Sequence, residues 1–250
     1  NDQYGNSAAM LAARNGNDDI LKTLLGQGAK KNEQTGSGAT ALTWAVRNLH
    51  VNTVTTLLGE HADPNVAEKS GQTAIYYAAN LGSIGIVNAL LQHSADPNKQ
   101  TKTGWTALYT ATYHGYDSIA TALLKHGANP NLKKFTNGWT PLMAACYYGR
   151  TNIGRDLLKY GAAVDHETLK NNTALTIAAL YGHTKIVHML LAHNADVNHQ
   201  GEHGETALMK AARNRHQKIV KLLLSQDADV DLQDYKGRTA LMEAARRGQA

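Results

Sequence analysis

The chain has 250 residues, of which 42% are hydrophobic and 18% are charged. Its 25 lysines and arginines against 20 acidic residues give a formal net charge of +5 without a polybasic run, so nucleic acid is not an expected partner. No apolar stretch approaches the roughly 18 residues of a membrane span, so no membrane insertion of this chain is expected. The single cysteine, Cys146, excludes an internal disulfide and predicts a reducing, cytoplasmic compartment.

One pattern recurs along the whole chain. A hydroxyl residue marks the start of each copy, and successive copies are 33 residues apart except for one step of 34 between Thr106 and Thr140. These anchor residues are Ser7, Thr40, Thr73, Thr106, Thr140, Thr173, Thr206 and Thr239. An alanine follows each anchor by five residues, and a leucine pair follows later in every complete copy, as Leu190-Leu191 does after Thr173. A period near 33 residues is the mark of a repeat protein built from stacked units.

Each copy contains two short apolar patterns at helical spacing. In the copy that begins at Thr173, Leu175, Ala178 and Ala179 share one face, and Ile186, Val187 and Leu190 share another. Neither segment is long enough to be stable alone, so each copy predicts a pair of helices that packs against its neighbours. Glycines end the first helices, because glycine adopts the left-handed backbone at a helix end at the least cost. Asp-x-Asn and glycine elements predict turns between copies. These helix-ending glycines are Gly16, Gly82, Gly115, Gly149 and Gly182.

The pattern resembles the ankyrin repeat over the whole chain. The family's opening signature is nearly complete as Gly138-Trp139-Thr140-Pro141-Leu142, and its closing signature recurs, for example as Ala95-Asp96-Pro97-Asn98. Asn171 and Arg215 stand where the repeat usually has glycine. The resemblance implies an all-α solenoid of stacked helix-turn-helix units with projecting β-hairpin loops.

A single repeat array, 1–250, is therefore predicted as the domain organisation. Seven repeats are complete and an eighth stops short, so a fragment of a longer protein is expected, with apolar side chains exposed near Ile219 and Leu223 of the last complete repeat. The repeat boundaries lie at about 1–32, 33–65, 66–98, 99–131, 132–165, 166–198, 199–231 and 232–250.

An enzyme, a cofactor site and a metal site are not expected. Most of the twelve histidines share repeat positions, as His50, His183 and His216 do, which indicates copied capping chemistry. His199 and His203 are four residues apart, but they flank Gly201 in a predicted hairpin and lack further zinc ligands in sequence. Cys146 is expected to be a small buried hydrophobe.

The aromatic residues are sorted along the repeat. Of 14 tyrosines and tryptophans, 12 lie in predicted hairpins or on first helices, Tyr4 and Tyr235 among them, where ankyrin proteins bind partners in a concave groove. Tyr76 and Tyr109 are alternatively interpreted as braces for the hairpin. Phe135 lies in the one hairpin with an extra residue. The predicted partner-binding residues are Trp44, Tyr77, Trp105, Tyr109, Tyr113, Phe135, Trp139, Tyr147, Tyr148, Tyr181, Arg47 and Arg213.

The resemblance implies a non-enzymatic scaffold for protein–protein interaction. Seven residues after the anchor, central repeats carry Tyr113, Tyr147 and Leu180, whereas outer repeats carry arginines such as Arg47 and Arg213. This row predicts a partner protein or peptide segment with an apolar centre and acidic flanks, although an arginine near a helix C-terminus also complements the helix dipole. The alternatives are a cytosolic domain of a membrane receptor or channel, and a targeting domain attached to an enzyme.

Overall fold

The computed structural model describes residues 2–3 and 5–246. Over this part of the chain it contains fifteen α-helices, one 3-10 turn and no β-strand. The all-α architecture of helix pairs is therefore confirmed. The chain divides into two compact units, Asn1–Asn129 and Pro130–Ala250.

Each unit is a series of helix pairs, in which the first helix of a repeat packs on its own second helix and on the first helices of neighbouring repeats. The first unit contains α1 (Ala8–Asn15), α2 (Asp18–Gly26), α3 (Ala41–Arg47), α4 (Val51–Gly59), α5 (Ala74–Asn80), α6 (Ile84–Gln92), α7 (Ala107–His114) and α8 (Asp117–Lys125). The second unit contains α9 (Pro141–Tyr148), α10 (Thr151–Lys159), α11 (Ala174–Tyr181), α12 (Thr184–Ala192), the 3-10 turn Glu202–Gly204, α13 (Ala207–Arg213), α14 (Gln217–Leu224) and α15 (Ala240–Arg246).

The anchor hydroxyl is the N-cap of the first helix. Thr106 Oγ1 accepts a hydrogen bond of 3.0 Å from the backbone N–H of Tyr109. Thr173 accepts in the same way from Thr176, whose hydroxyl oxygen accepts in return from the backbone N–H of Thr173. Capping of this kind satisfies amide groups that a short helix leaves without intrahelical partners, which explains the recurring serine or threonine. Thr73 is the exception, because its side chain makes no capping hydrogen bond.

The glycine that ends a first helix is required for two reasons. Gly182 has φ of 79°, in the left-handed region that favours glycine. A Cβ at this position would also lie 2.6 Å from Cε1 of His216, whose ring covers the glycine from the next repeat. That ring donates from Nε2 to the carbonyl of Leu180 at 3.2 Å. The shared histidine position is therefore a link between successive repeats.

Leu49 occupies the same position as Gly182 in its own repeat, and it has φ of 59°. The next repeat carries the small Ser83 in place of a ring. The left-handed conformation destabilises a folded leucine by about 1–2 kcal/mol. A glycine lowers the stability by about 0.5–1 kcal/mol, because it makes the unfolded chain more flexible. We therefore expect Leu49→Gly to raise the free energy of unfolding by about 0.5–1 kcal/mol in urea denaturation. Gly182→Ala is the opposite case and should destabilise, and a Leu49→Gly variant less stable than wild type would contradict the argument.

The leucine pairs and the alanines form the core. The first leucine of each pair is fully buried in six repeats, at Leu57, Leu90, Leu123, Leu157, Leu190 and Leu223. Cys146 is also fully buried, and burial raises the pKa of its thiol. The expected exposure of Ile219 and Leu223 is wrong, because both are 0% exposed on the face of α14 that meets α12 and α13. Exposed apolar side chains near this end are Leu224, which follows Leu223 in α14, and Leu241 and Met242 of α15.

Tight turns stand where β-hairpins were predicted. In one of them the backbone N–H of Thr101 donates to the carbonyl of Trp105 at 2.9 Å, and that of Gly104 donates back to Thr101 at 2.9 Å. Successive turns also bond to each other, as Lys102 does to Ser70 at 3.0 Å. Asn and Asp side chains link the closing segments of neighbouring repeats. Asn65, for example, accepts from the backbone N–H of Asp96 at 2.7 Å and donates to the carbonyl of Ser94 at 3.0 Å.

Candidate partner-binding groove

A cavity of about 550 Å³ lies in the second unit, between its turns and its first helices. Trp139 and Lys170 belong to the turns, and Tyr147, Tyr181 and Lys210 belong to α9, α11 and α13. We call this cavity the aromatic groove. Three of the predicted partner-binding residues, Trp139, Tyr147 and Tyr181, line it.

The aromatic rings of the groove contact one another. The ring centroids of Trp139 and Tyr147 are 5.3 Å apart with planes at 66°, and those of Tyr147 and Tyr181 are 4.5 Å apart at 59°. Tyr148 packs edge-on to Tyr147 at 4.7 Å. Aromatic pairs in such tilted arrangements stabilise each other beyond the area they bury. The four predicted residues therefore form one continuous cluster.

Local hydrogen bonds position these rings. The backbone N–H of Trp139 donates to Oδ1 of Asn137 at 3.2 Å, and its carbonyl accepts from Lys134 at 2.9 Å, which closes the longer turn. Tyr147 lies in the last turn of α9, and its carbonyl accepts from Nε2 of His183 at 3.2 Å. The ring cluster is therefore held from both the turn and the following repeat, which pre-organises it for binding.

The tyrosines remain partly accessible. Tyr148 is 37% exposed and Tyr181 is 44% exposed. Partial burial is the main cause that raises the pKa of Tyr181. The hydrogen bond between Tyr181 and Tyr147 and the proximity of the Tyr147 phenol raise this pKa further. The Tyr181 phenol is therefore neutral at physiological pH and presents both a ring edge and a polar hydroxyl, a combination that is enriched at protein interfaces.

A buried ionic cluster adjoins the groove. Lys210 is 5% exposed, and its Nζ lies 3.2 Å from Oε2 of Glu205. The same carboxylate accepts from Nη2 of Arg213 at 3.1 Å. The sequence prediction included Arg213 but missed Lys210 and Glu205. The sequence signal for Lys210 was a charged residue at a repeat position where α11 has the apolar Ile177.

A second cluster of predicted residues lies in the first unit. The guanidinium carbon of Arg47 is 4.2 Å from the ring centroid of Tyr77 and 5.5 Å from that of Trp44. Nη2 of Arg47 lies 3.2 Å from Oε2 of Glu68, and the Tyr77 hydroxyl donates to the same oxygen at 2.9 Å. Burial, then the Glu68 carboxylate, raises the pKa of Tyr77 to about 12. The charge of Arg47 is therefore balanced within the unit.

Trp105, Tyr109 and Tyr113 form a third group, also in the first unit. The centroid of Trp105 lies 4.8 Å from that of Tyr109 and 5.5 Å from that of Tyr113. Tyr113 is 38% exposed, but Tyr109 is only 3% exposed. The prediction of Tyr109 as a contact residue is therefore corrected, because its ring supports Trp105 from the core. The alternative interpretation as a brace fits its burial.

The remaining sequence predictions have separate outcomes. Phe135 is 59% exposed in its turn, and no ring pair within residues 2–3 and 5–246 includes it. Nε2 of His199 bonds to the carbonyl of Asn171 at 2.7 Å. The same described ranges hold no group of three His, Cys, Asp or Glu side chains arranged for a metal ion, and no helix there is long and apolar enough to cross a membrane. Tyr4 lies outside the described residues.

Comparisons with known proteins agree with this architecture. A family model described as ankyrin repeats (3 copies) matches residues 1–68, 42–134, 126–201 and 194–250. The crystal structure of the ankyrin repeat domain of Bcl-3, a member of the IkappaB protein family, has a TM-score of 0.78 at 25% identity, and covers 89% of this chain and 100% of that one. The human ASB11 ankyrin repeat domain has a TM-score of 0.70 at 28% identity, and covers 88% and 98%. No curated protein sequence matches the chain. Because the family model covers every repeat, the chain belongs to the ankyrin-repeat family.

Proposed function

We propose that this chain is a non-enzymatic scaffold for protein–protein interaction, and that its second unit binds a segment of a partner protein in the aromatic groove. The family is generally one of protein-interaction modules. The observation that carries the proposal is the cluster of Trp139, Tyr147 and Tyr181 on a cavity of about 550 Å³. This volume is within the usual range of ligand pockets, about 300–1,000 Å³.

The lining favours a mixed apolar and polar segment. The three rings offer an apolar wall to an aliphatic or proline side chain of the partner, and pre-organised aromatic anchors of this kind are typical binding hot spots. Asn172 also lines the groove, and its half-buried side-chain amide suits the backbone of an extended segment. We therefore propose an apolar centre for the partner segment.

Electrostatic attraction is expected to be modest. An acidic flank of the partner would approach Arg213 in this unit. Arg213 already shares the carboxylate of Glu205, so little uncompensated charge remains. We expect salt to slow association only slightly, because rim charges act mainly on the association rate.

The experiment is a selection of binding peptides from a displayed random library on the intact chain, followed by calorimetry on single substitutions. Trp139→Ala and Tyr147→Ala are each expected to weaken the selected peptides by about 2 kcal/mol or more, roughly thirtyfold in Kd. Tyr160→Ala is the matched control, because Tyr160 is a 37% exposed tyrosine at the C-cap of α10 and does not line the groove.

Circular dichroism and urea denaturation check that each variant is folded. Equal binding by wild type and both groove variants would contradict the proposal. It would also be contradicted if Tyr160→Ala weakened the peptides as much as Tyr147→Ala does.

We further propose a reducing, cytoplasmic location. The chain has one cysteine, and Cys146 is fully buried in α9 beside Ala145. A lone buried thiol behaves as a small hydrophobe and needs no oxidising compartment. Immunofluorescence of the full-length protein tests this location, and a signal confined to the secretory pathway would contradict it.

A further inference from the structure

The positive charge of the chain is unevenly distributed over its second helices. In the second unit, helices α10, α12 and α14 carry five lysines and arginines against one aspartate. In the first unit, helices α2, α4, α6 and α8 carry two lysines against three aspartates. The repeat frame is the same in both units, so packing of the frame does not account for this difference.

A second cavity, of about 660 Å³, lies on this charged side of the second unit. Arg155 of α10, Lys185 and His188 of α12, and Lys218 of α14 line it around the apolar side chains of Met189 and Leu222. No aspartate or glutamate lines it. We call this cavity the basic groove. It shares no residue with the aromatic groove, which is formed by turns and first helices.

The cations of the basic groove are not neutralised by the protein. Among residues 2–3 and 5–246, no carboxylate lies within ion-pair distance of Arg155, Lys185 or Lys218. The hydrogen bond of the Arg155 side chain runs from Nη1 to Oδ1 of Asn152, at 3.4 Å. By contrast, Arg47 and Arg213 each share a carboxylate. Uncompensated like charges in one depression repel each other, and an anionic ligand relieves that repulsion.

The floor of the basic groove is apolar and adaptable. Gly154 is buried in α10 at the repeat position that Val187 and Val220 occupy in α12 and α14. A Cβ at Gly154 would lie 3.0 Å from Cε of Met189, so the thioether side chain occupies space that a larger residue would fill. Methionine adapts its shape to different apolar partners. The groove therefore combines charges at its sides with an accommodating apolar surface.

We propose that the basic groove docks an acidic segment of a partner protein, with Asp or Glu side chains paired to Arg155, Lys185 and Lys218, and an apolar side chain on Met189 and Leu222. Neighbouring helices lie about 8–10 Å apart, so three helices separate the outer cations by roughly 16–20 Å. About six residues of an extended chain span that distance. Nucleic acid is disfavoured because no phenylalanine, tyrosine or tryptophan lines the groove as a platform for base stacking. A membrane surface is disfavoured because the apolar side chains line a depression.

The test uses the full chain and a fluorescein-labelled peptide, Asp-Glu-Leu-Leu-Glu-Asp, in fluorescence anisotropy. Lys185→Glu combined with Lys218→Glu is expected to weaken binding by at least about tenfold, because it replaces attraction with repulsion. Lys22→Glu combined with Lys125→Glu is the matched control. It changes the net charge equally but lies on α2 and α8 of the first unit, and we expect less than about twofold change. All four lysines are exposed, so the fold is retained.

Three further measurements distinguish an acidic segment in the basic groove from other ligands and from the other groove. A peptide with Asn and Gln in place of Asp and Glu should not bind, and Tyr147→Ala should leave binding of the acidic peptide unchanged, which separates this site from the aromatic groove. Any binding of single-stranded RNA or phosphatidylserine vesicles that depends on Lys185 and Lys218 should be weaker than binding of the peptide. The proposal is overturned if the control variant weakens the peptide as much as the groove variant. It is also overturned if the uncharged peptide binds equally, or if RNA or vesicles bind more tightly through the same lysines.

Discussion

Leu190→Ala is expected to lower the free energy of unfolding by about 2–5 kcal/mol, since it removes a large side chain from a close-packed site. Leu190 is 0% exposed in α12, which packs against α10, α11 and α14. The truncation leaves a cavity beneath α12, and packed neighbours relax only partly into such a space. Urea denaturation monitored by circular dichroism measures the loss.

The comparison for this variant is Leu169→Ala. Leu169 is 67% exposed in a turn of the same repeat, so its truncation is expected to change stability by less than about 0.5 kcal/mol. If Leu190→Ala also cost less than about 1 kcal/mol, the leucine pairs would not form the seam between repeats. An unchanged m-value would show that both variants unfold from the same compact state.

The repeat pattern was sufficient to predict the helix pairs. Thr173 caps α11, Gly182 ends it in the left-handed region, and Leu190 is buried in α12, all at positions that recur through the chain. Such features depend on interactions within one repeat or between identical neighbours. Eight copies of the same signal therefore reinforce one another, and local sequence is enough to locate them.

Contacts between non-equivalent repeat positions were not predictable in this way. Glu68 and Arg47 are 21 residues apart and meet across a repeat boundary. Arginine recurs at the position of Arg47, but no other repeat has glutamate at the position of Glu68. Tyr109 differs from Tyr113 by one helical turn, yet the former is buried and the latter is exposed. The side on which a ring lies depends on the adjacent helix, so a sequence pattern that places residues on an element leaves accessibility undetermined.

The candidate site likewise contains residues that the sequence pattern located and residues that it missed. The sequence located the ring cluster of Trp139, Tyr147 and Tyr181 because aromatics are unusual at those repeat positions. It missed Lys210, which resembles any other lysine until its burial and its partner Glu205 are known. A polar residue at a repeat position that is otherwise mainly apolar was the available signal.

Glu205→Gln is expected to destabilise the protein by about 3–5 kcal/mol, because it removes the partner of buried charges. Glu205 is 6% exposed and Lys210 is 5% exposed, and Arg213 donates to the same carboxylate at 3.1 Å. Glutamine preserves the size of the side chain, so the loss reports the charge. Without the carboxylate, the Lys210 ammonium remains desolvated without its countercharge.

The stability of this cluster should also depend on pH. Burial opposes the charged form of Glu205, but the hydrogen bond from Arg213 and the charges of Lys210 and Arg213 outweigh it and hold the pKa below its ordinary value. The unfolded state then binds more protons between the two pKa values, so stability rises with pH there. The contribution is complete above about pH 4.3 and is lost as pH falls through the folded-state pKa. Wild type should therefore lose more stability in acid than Glu205→Gln does.

Two comparisons isolate the buried charge. Glu202→Gln breaks the exposed pair between Glu202 and Lys170, whose side chain is 70% exposed, and is expected to cost less than about 1 kcal/mol. Adding Lys210→Met to Glu205→Gln removes the unpaired ammonium and places an apolar side chain where α11 has Ile177, so it should restore part of the lost stability. The resulting double-mutant cycle in urea gives the coupling energy of the two residues. A cost for Glu205→Gln no larger than that for Glu202→Gln would contradict the assignment. So would a double variant less stable than Glu205→Gln alone, because Lys210 would then be stabilised by its surroundings without its carboxylate.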